Sequence, residues 1–491
     1  MNKNTEQKKM KRDFEKWLSA LKKKDGFIHH QVKHHNSMVH VGYFKTSVDP
    51  KKLEKYILTR VQDYLYNNLT ELKDHIPITK TELQNNPDTI EEKLVNGFLF
   101  IHMEGSDPAY LLVPVPLDNK REVSTPEVEF SVVGPKEAFV EDIDTNLNLI
   151  RKRLAISELN IQKLQVGTVT KTAVAVVSIK GIADDDNVQT VTQRIKDMNM
   201  DQVVDSSFVQ QTITDNKNSP FPQLLDTERP DRIASILVEG KVAIFVDGSP
   251  HVLLGPTTLI EFFSAFDDYF YNWLTASAFR LIRLIAVFFS ILVTPIYVAV
   301  LTHHFEIIPN TMLSTLISSR AQVPFPPILE ALLLEMAIEL LREAGARLPT
   351  KVGQTIGIVG GIVIGTASVE AGLTSNVLLI VVGIAALGSF TTPVYKMSNT
   401  IRLIRFPLLI VAHVYGLLGL AIFIAYIMVH LLRLTSLGRP FMEPIFPFRI
   451  KDFKDALIRL PFEKQNTRPY EVRPSKVMRP PAKENDQTRD S

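Results

Sequence analysis

The pattern of apolar and polar positions changes character near residue 270. Before that point, short apolar runs alternate with charged stretches, as in soluble domains with half-buried strands and amphipathic helices. Residues 280–434 are dominated instead by Leu, Ile, Val, Ala and Gly, in stretches long enough to cross a bilayer. The pattern predicts an α+β soluble N-terminal region of two α/β lobes, followed by an α-helical multi-pass membrane domain.

Changes in composition predict five parts along the chain. They are a basic N-terminal extension, soluble lobe 1, soluble lobe 2, a transmembrane helical domain and a basic, proline-rich tail, at residues 1–26, 27–135, 136–257, 258–434 and 435–491. The tail after Asn466 is rich in proline and charge, which predicts disorder.

The clearest helix of the soluble half is predicted at residues 49–72. Asp49 suits the N-cap, and Pro50 suits the first helical position because its missing N–H costs nothing there. One buried stripe at helical spacing comprises Leu53, Tyr56, Ile57, Val61, Tyr64 and Leu65. Strands are predicted at 97–103, 110–115 and 172–179, and helices at 138–149 and 188–198.

A hairpin is predicted where the soluble half ends. Residues 241–246 and 251–254 are apolar runs, and Asp247-Gly248 between them is a strong turn signal because glycine accepts a positive φ. The main interpretation is a structural hairpin, and ligand binding by Asp247 is the alternative.

Apolar stretches predict membrane spans at about 281–301, 352–372, 377–395 and 406–432. Arg280 and Arg283 mark the cytosolic end of the first span, and Pro295 should kink it. The aromatic segment 258–275 predicts an amphipathic helix in the headgroup layer, with a core helix as the alternative.

A further helix is predicted at residues 326–348, and it is either a membrane span or a re-entrant segment. Its charged arc holds Glu335, Glu339, Arg342 and Glu343, while Glu330 falls among apolar positions. Such an arc avoids lipid, so it either pairs with protein or lines a water-filled lumen. In a homo-oligomer it would form a carboxylate ring that favours cations.

The span at 352–372 carries a glycine every fourth residue, at Gly353, Gly357, Gly361 and Gly365. Small residues let helix backbones approach, so a packing face is predicted. Glu370, near the end of this span, is a second candidate for an ion site.

The number of spans stays open between four and five. Lys396, Arg402 and Arg405 favour five, with the tail outside. Arg433, Arg439 and the basic tail favour four, with the tail in the cytosol.

Composition excludes several classes of chemistry. The chain has no cysteine, which rules out disulfides and thiolate sites. The net charge of +2 does not suggest a nucleic-acid partner. No apolar segment follows the basic N-terminus, so a cytosolic N-terminal region is predicted. No phosphate-binding or nucleophile-elbow motif occurs, and neither an enzyme activity nor a cofactor is predicted.

Three polar clusters are better explained by ordinary structural roles than by a functional site. His29-His30 with His34-His35 more readily form a solvated edge than a metal site, and Asp184-Asp185-Asp186 fit a helix N-terminus better than a calcium loop. His303 and His304 beside Glu306 fit a span end better than a catalytic cluster.

Several long stretches resemble the A subunit of the GerA family of spore germination proteins. They are 134–154 (GPKEAFVEDIDTNLNLIRKRL), 219–233 (SPFPQLLDTERPDRI), 239–256 (EGKVAIFVDGSPHVLLGP), 320–349 (RAQVPFPPILEALLLEMAIELLREAGARLP) and 352–373 (VGQTIGIVGGIVIGTASVEAGL). The ends, roughly 1–26 and 466–491, carry no specific resemblance.

The resemblance implies a nutrient germinant receptor of the inner spore membrane. It implies a transporter-like, nutrient-binding B subunit and a C-subunit lipoprotein as partners, and assembly as a homo-oligomer, a pentamer in the family. It also implies that nutrients trigger the release of monovalent cations. Two hypotheses follow: a nutrient-gated cation channel subunit, or a non-conducting scaffold that anchors its partners among membrane lipids.

Overall fold

The computed structural model describes residues 14–34, 37–64, 66, 68–79, 81–95, 97–104, 109–117, 125–126, 129, 133–348, 350–449, 453, 458–461, 465 and 467–479. The chain divides into two compact units. We label the first, residues 1–217, 224–256 and 466–491, the soluble unit and the second, residues 218–223 and 257–465, the membrane unit, after the regions expected from the sequence.

Lobe 1 of the soluble unit is an antiparallel sheet in the order β1-β2-β4-β5-β3, with helices on both faces. One face packs Val39, Leu99 and Leu111 against the helices that follow β2, and the other packs Phe100 and Leu112 against Phe14. Its strands are β1 (Phe27–His34), β2 (Ser37–Phe44), β3 (Glu82–Gln84), β4 (Phe98–Met103) and β5 (Tyr110–Pro114). Its helices are α1 (14–22), α2 (Pro50–Leu53), α3 (Thr59–Asp63), α4 (Leu69–His75) and α5 (Pro87–Val95), with a π-helical turn at Glu54–Leu58.

The single helix predicted at 49–72 is wrong, because the chain breaks between α3 and α4. Asp49 does cap the start of α2, accepting the amides of Lys51 and Lys52. Tyr64 is extended, and Asn68 starts a new helix by accepting the amide of Glu71. The local capping residue therefore overrides the continuous apolar stripe. Leu65 lies outside the described residues.

Lobe 2 repeats the strand order of lobe 1, as β6-β7-β9-β10-β8, again antiparallel throughout. The strand predicted at 172–179 and the hairpin of β9 and β10 are present, with Gly248 at φ +84°. Its strands are β6 (Leu159–Val166), β7 (Thr172–Ile179), β8 (Leu225–Thr227), β9 (Val242–Val246) and β10 (Val252–Gly255). Its helices are α6 (Ile143–Arg153), α7 (Asp185–Lys196), α8 (Ser206–Ile213) and α9 (Pro230–Glu239).

Two helix starts in lobe 2 are set by aspartates. Asp184 caps α7, which accounts for the acidic run there. The helix predicted at 138–149 begins only at Ile143, because Asp142 is its N-cap, and residues 138–140 are buried outside any helix. Asp247 accepts the amide of Ile143 at 3.2 Å, so the turn residue anchors α6.

Part of the tail, residues 467–479, is ordered where disorder was predicted. Residues 467–479 pack on lobe 2, with Val472 fully buried. Asn187 donates to the carbonyl of Val472 at 3.1 Å, and Arg468 donates to the carbonyl of Val238 at 2.7 Å. Charged and proline-rich composition did not prevent order, because the Asn187 side chain and the backbone carbonyls of Ile182 and Val238 in lobe 2 hydrogen-bond to this segment.

The membrane unit is helical and contains a small two-stranded ribbon. Its helices are α10 (Trp273–His303), α11 (Asn310–Arg320), α12 (Pro327–Arg347), α13 (Thr350–Glu370), α14 (Asn376–Phe390) and α15 (Tyr395–Arg433), and the ribbon is β11 (Thr435–Ser436) with β12 (Arg439–Pro440). Among the described residues, α10 and α15 are the helices long and apolar enough to cross a membrane, and α14 is a shorter apolar helix.

The amphipathic helix predicted at 258–275 is wrong. Two short 3₁₀ turns, Leu259–Phe263 and Phe266–Tyr269, take its place. A capping box between Thr258 and Glu261 starts the first turn. Asp268 is buried and pairs with Arg280 and Arg283 at 3.1 and 3.2 Å, whereas a helix in the headgroup layer would keep this carboxylate on its exposed polar face.

Helix α15 is a tight helical hairpin, although residues 406–432 were predicted as a single span. Gly416 is non-helical, with φ 61° and ψ −145°. Thr400 donates to the carbonyl of Pro220 at 2.6 Å, and the neighbouring Ser219 Oγ lies 2.9 Å from His430 Nε2. Thirty residues of straight helix would span about 45 Å, so the two arms, 395–415 and 417–433, fold back on each other at Gly416.

The helical segments alternate in direction between two ends of the membrane unit. We call the end with Thr400 and His430 the base, and the end with His303 and Gly416 the apex, where His303 Nε2 lies 2.6 Å from the carbonyl of His413. Contacts give the directions. Val298 of α10 packs on Ile328 and Leu378, the starts of α12 and α14, and Gly388 approaches Ala286 lower on α10. Helices α10 and α13 and the first arm therefore rise to the apex, and α12, α14 and the second arm descend.

Candidate functional site

The centre of the membrane unit holds a buried ion pair between Glu335 and Arg405. Both side chains are buried. Arg405 Nη1 donates to both carboxylate oxygens at 2.8 and 2.9 Å, and Nη2 donates to Ser290 Oγ at 3.0 Å. Thr294 Oγ1 donates to Glu335 at 3.4 Å. Three helices, α10, α12 and the first arm of α15, are therefore joined at one point by charged and polar groups.

A second charged layer lies one helical turn towards the base. Glu339 accepts from Arg342 at 2.7 Å and pairs with Arg402 at 3.3 Å. Arg402 also donates to Ser398 Oγ at 2.8 Å, and Arg342 to Asn399 at 3.3 Å. Glu335 and Glu339 are four residues apart on α12, and Arg402 and Arg405 are three residues apart on the first arm. The two spacings put each carboxylate opposite a guanidinium.

Glu330 forms a separate site near the apex. It is buried, pairs with Arg320 at 2.8 Å and accepts the backbone amide of Ser375 at 3.1 Å. Ser375 is the N-cap of α14, so the carboxylate also lies at the positive end of that helix. These partners account for a carboxylate among the apolar residues of α12, and a pore-lining role for Glu330 stays a prediction.

The structure brings only part of the predicted acidic arc together. Glu335, Glu339 and Arg342 share the network, whereas Glu343 is exposed and pairs with Arg347 at 2.6 Å. Glu370 is exposed at the apex end of α13. Within one chain, Glu335 is closed off by Arg405, so a pore-lining role for the arc stays a prediction.

The predicted glycine face of α13 divides into two. A Cβ on Gly353 would lie 2.8 Å from the carbonyl of Gly345 on α12, and one on Gly365 would touch Leu379. A Cβ on Gly357 or Gly361 would meet nothing within 4 Å. The inner glycines pack on neighbours within the chain, and the outer two lie on a surface that another chain could approach.

Sequence reasoning missed the basic half of the network. Arg402 and Arg405 were interpreted as markers of the cytosolic side, and Ser290 and Thr294 drew no attention inside an apolar span. The available signal was two arginines three apart at the start of one helix and two glutamates four apart on another. That complementarity predicts a pair of facing helices.

The soluble unit contains a basic cavity of about 860 Å³. Arg151 of α6 is buried beneath it, stacks 5.1 Å from the Phe44 ring, and has no partner for Nη1 among the described residues. Burial lowers the pKa of Arg151 to about 10. The charged residues lining the cavity are Lys22, Lys23, Lys24, Asp25, Glu91, Arg151, Lys163 and Lys180. The excess of cationic groups suits an anionic small molecule.

The histidines of lobe 1 form a chain across the sheet. His29 Nε2 lies 3.1 Å from His40 Nδ1, and His40 Nε2 lies 3.3 Å from Glu104. Burial, Lys22 and His40 lower the pKa of His29 to about 4. Within the described ranges, no group of three or more His, Asp or Glu side chains could hold a metal ion. His35 lies outside those ranges.

The family profile described as "Bacillus/Clostridium GerA spore germination protein" matches residues 14–471. The chain belongs to the GerA family. The resemblance found in its sequence is confirmed and reaches further than the motifs indicated, because the match includes helix α1 and the start of the ordered tail.

Relatives within the GerA family match almost the whole chain. Spore germination protein GerQA of Bacillus cereus is 48% identical over 452 residues, covering 92% of this chain and 91% of the relative. Spore germination protein A1 of Bacillus subtilis (strain 168) is 39% identical over 456 residues, covering 93% and 94%. The crystal structure of the N-terminal domain of the A subunit of the Bacillus megaterium spore germinant receptor GerK3 is 27% identical, with a TM-score of 0.38, and covers 50% of this chain and 92% of that chain.

Proposed function

We propose that this GerA-family chain is the A subunit of a nutrient germinant receptor in the inner spore membrane. In this proposal it oligomerises, as a pentamer, into a nutrient-gated channel for monovalent cations, working with a transporter-like B subunit and a lipoprotein C subunit. The observation that carries the proposal is the outer surface of α12 and α13, where Gly357 and Gly361 leave room for a neighbouring copy and Glu343 and Glu370 are exposed at the two ends. Rings of carboxylates from several subunits favour the passage of cations.

The chain crosses the membrane six times in this proposal. The crossing segments are α10, α12, α13, α14 and the two arms of α15. An even number is required because the N-terminal lobes and the tail belong to one compact unit and must share a side of the membrane. A helix of 21 residues such as α13 is about 32 Å long, which matches the hydrocarbon thickness.

The distribution of basic residues supports this orientation. The base ends carry Arg280, Arg283, Arg342, Arg347, Lys351, Lys396, Arg402, Arg433 and Arg439, whereas the apex loops carry Arg320, which Glu330 neutralises. A cytosolic base satisfies the positive-inside rule. The basic residues at 396–405 had favoured five spans, and those at 433–439 had favoured four. Both groups lie at the base if residues 395–433 cross the membrane twice.

The ion path is proposed along the outer surface of α12 and α13. Gly357 and Gly361 leave room for a neighbouring copy there, and Ile362 and Val363 are exposed. Glu343 at the base and Glu370 at the apex are exposed carboxylates at the two mouths of this surface. Repeated around an axis, they would form two acidic rings that concentrate cations.

The test is cation release from spores that carry the complete receptor. We expect Glu343→Gln with Glu370→Gln to reduce nutrient-triggered release of monovalent cations while the protein level stays unchanged. Glu158→Gln, an exposed glutamate of the soluble unit, is the matched control. Normal release from the double variant at normal abundance would contradict the proposed path.

The competing function is a non-conducting scaffold. The closure of Glu335 by Arg405 within one chain favours it, because a sealed pair does not itself line a lumen. Reconstitution of the purified receptor in liposomes discriminates between the two. A scaffold gives no conductance with or without nutrient, and a channel conducts when nutrient is added.

A second candidate function is binding of an anion in the basic cavity, for which the unpartnered Nη1 of buried Arg151 is the specific observation. Calorimetric titration of the full chain with inorganic phosphate should show binding that Arg151→Leu abolishes. Equal heats from both proteins would remove this candidate.

A further inference from the structure

The segment 218–223, Asn-Ser-Pro-Phe-Pro-Gln, departs from the unit to which its neighbours belong. Residues up to 217 and from 224 to 256 are part of the soluble unit, but these six residues are part of the membrane unit. The segment also opens the stretch 219–233 that the sequence analysis singled out and that the proposed ion path leaves without a role.

The segment contacts both arms of the α15 hairpin at their base ends. The carbonyl of Pro220 accepts from Thr400 on the first arm at 2.6 Å. Ser219 Oγ lies 2.9 Å from His430 Nε2 on the second arm, and the buried Phe221 ring lies 6.0 Å from the His430 ring. A single stretch of three residues thus spans the gap between two membrane helices.

The segment is stiff and fixed at its far end. Pro220 and Pro222 lock their own φ angles and restrict the residues that precede them. The carbonyl of Gln223 accepts from Thr257 at 2.8 Å and from Ser436, and the Gln223 side chain is buried. Because the segment resists bending, a displacement of the chain on either side moves Ser219 and Pro220 rather than being absorbed between them.

The hairpin can respond to such a displacement at its apex. Gly416 has the positive φ that only glycine adopts without strain, so the arms meet at one backbone position. His303 of α10 holds the adjoining carbonyl of His413 there. The first arm also carries Arg402 and Arg405, so a change in the angle between the arms would reach the buried charged network.

We propose that residues 218–223 are a coupling segment. Ser219 and Pro220 hold the base ends of the two arms together, and movement of lobe 2 changes their separation and so the position of Arg402 and Arg405 beside Glu335 and Glu339. Ser219, Thr400 and His430 are positioning residues in this scheme. Its consequence for germination rests on the proposed receptor function, but the hold on the arms does not.

The decisive experiment measures the distance between the arms. The chain lacks cysteine, so Leu403→Cys and Val429→Cys, both at exposed positions of the arms, accept spin labels without further changes. In the full chain in lipid nanodiscs, we expect one narrow distance distribution. Ser219→Ala with His430→Phe should broaden it and shift it to longer distances. An unchanged distribution would overturn the coupling segment.

Two further variants separate positioning from folding. Thr391→Ala removes a hydroxyl that bonds only within its own helix end and should leave the distribution narrow. His430→Gln keeps a polar group at the Nε2 position and should restore the narrow distribution in the presence of Ser219. If Thr391→Ala broadens the distribution equally, or His430→Gln fails to restore it, the specific role of the Ser219–His430 contact is lost.

The spore readout distinguishes this inference from the proposed function. In spores that carry the complete receptor, the loss of one hydrogen bond should raise the nutrient concentration for half-maximal response about threefold to tenfold. A normal nutrient response in a variant whose arm distance is widened would contradict the coupling role. Spores that respond to no nutrient even with the unaltered chain would contradict the proposed receptor function, and the arm-distance result would still hold.

Discussion

The soluble unit and the membrane unit differ in which side chains they bury and which they expose. Lobes 1 and 2 bury apolar side chains on the faces of their sheets and leave charges at the surface, with Phe100 and Phe245 among the largest fully buried groups. The membrane unit exposes Ile285, Phe288 and Leu418, and buries Arg280 and Arg405. In water the core is held by apolar area. In the lipid surroundings that we propose for the membrane unit, which are themselves apolar, specific charged and polar contacts would decide which helices meet.

The sharpest test of this contrast is the removal of one partner from the central ion pair. Arg405→Leu leaves Glu335 buried and unpaired, so we expect a loss of about 3–5 kcal/mol in the stability of the membrane unit. Thermal unfolding of the full chain in detergent or nanodiscs measures it. The double change Glu335→Leu with Arg405→Leu should recover most of the loss, because no lone charge remains. A double variant as unstable as the single one would contradict the pairing.

Truncation of an apolar side chain should matter most in the soluble unit. Leu111→Ala removes a fully buried side chain from the lobe 1 sheet, and we expect a cost of about 2–5 kcal/mol in unfolding of that unit. Leu418→Ala, at a position 69% exposed in the membrane unit, is the matched control and should have little effect. Equal losses at the two sites would break the contrast.

Helix caps give an intermediate effect in the soluble unit. Asp142 accepts the amide of Thr145 at 2.7 Å at the start of α6. Asp142→Ala should cost about 0.5–2 kcal/mol, whereas Asp142→Asn should cost less because the amide oxygen still accepts. Chemical denaturation of the full chain, followed by a signal from lobe 2, measures both. A larger cost for Asn than for Ala would show that Asp142 acts otherwise than as a cap.

Acid should weaken lobe 1 through its buried histidines. Burial lowers the pKa values of His29 and His102, so the folded lobe binds fewer protons than the unfolded chain. The contribution of both rings is complete above the ordinary pKa of about 6.5 and falls as the pH drops below it, and that of His29 is lost as the pH falls towards its own pKa of about 4. Unfolding measured at pH 7 and pH 5 should show the loss, and His29→Gln should reduce it. A free energy of unfolding that is the same at pH 7 and pH 5 would contradict the burial of these rings.

The smallest effect is expected at the exposed ion pair of α12. Glu343→Gln removes the partner of Arg347, and both side chains are more than half exposed. Exposed pairs of this spacing contribute about 0.3–0.5 kcal/mol. Unfolding of the membrane unit should therefore be unchanged within error, which also makes this residue suitable for the cation-release test. A large loss would mean that Glu343 is buried in the assembled protein.

Local sequence signals predicted much of the soluble unit. They failed where a residue further along the chain caps a new helix or binds a distant segment. Asp49, Asp184 and the Asp247-Gly248 turn act as their chemistry predicts. The break at Tyr64 was missed because the apolar stripe continues across it, and only the capping by Asn68 divides the helix. Order in the tail was missed because its partners, such as Asn187 and Val238, are distant in sequence.

In the membrane unit, hydropathy located helices but not their partners or turns. The helices at 327–347 and 350–370 lie close to their predicted bounds. The hairpin at Gly416 could not be predicted because one glycine in an apolar run looks like an uninterrupted span. The pairing of Glu335 with Arg405 was missed because seventy residues separate them, although the matching spacing of the charges on the two helices was a signal for it.

The central claim of the proposed function is that the chain crosses the membrane an even number of times, so that residues 467–479 of the tail lie on the same side as the lobes and Gly416 lies on the opposite side. Single cysteines at Val169, Met478 and Tyr415 are exposed and unambiguous in a chain without native cysteine. A membrane-impermeant maleimide applied to oriented vesicles should label Val169→Cys and Met478→Cys from one side and Tyr415→Cys from the other. Labelling of Met478→Cys from the side opposite to Val169→Cys, or of Tyr415→Cys from the same side as both, would contradict the account.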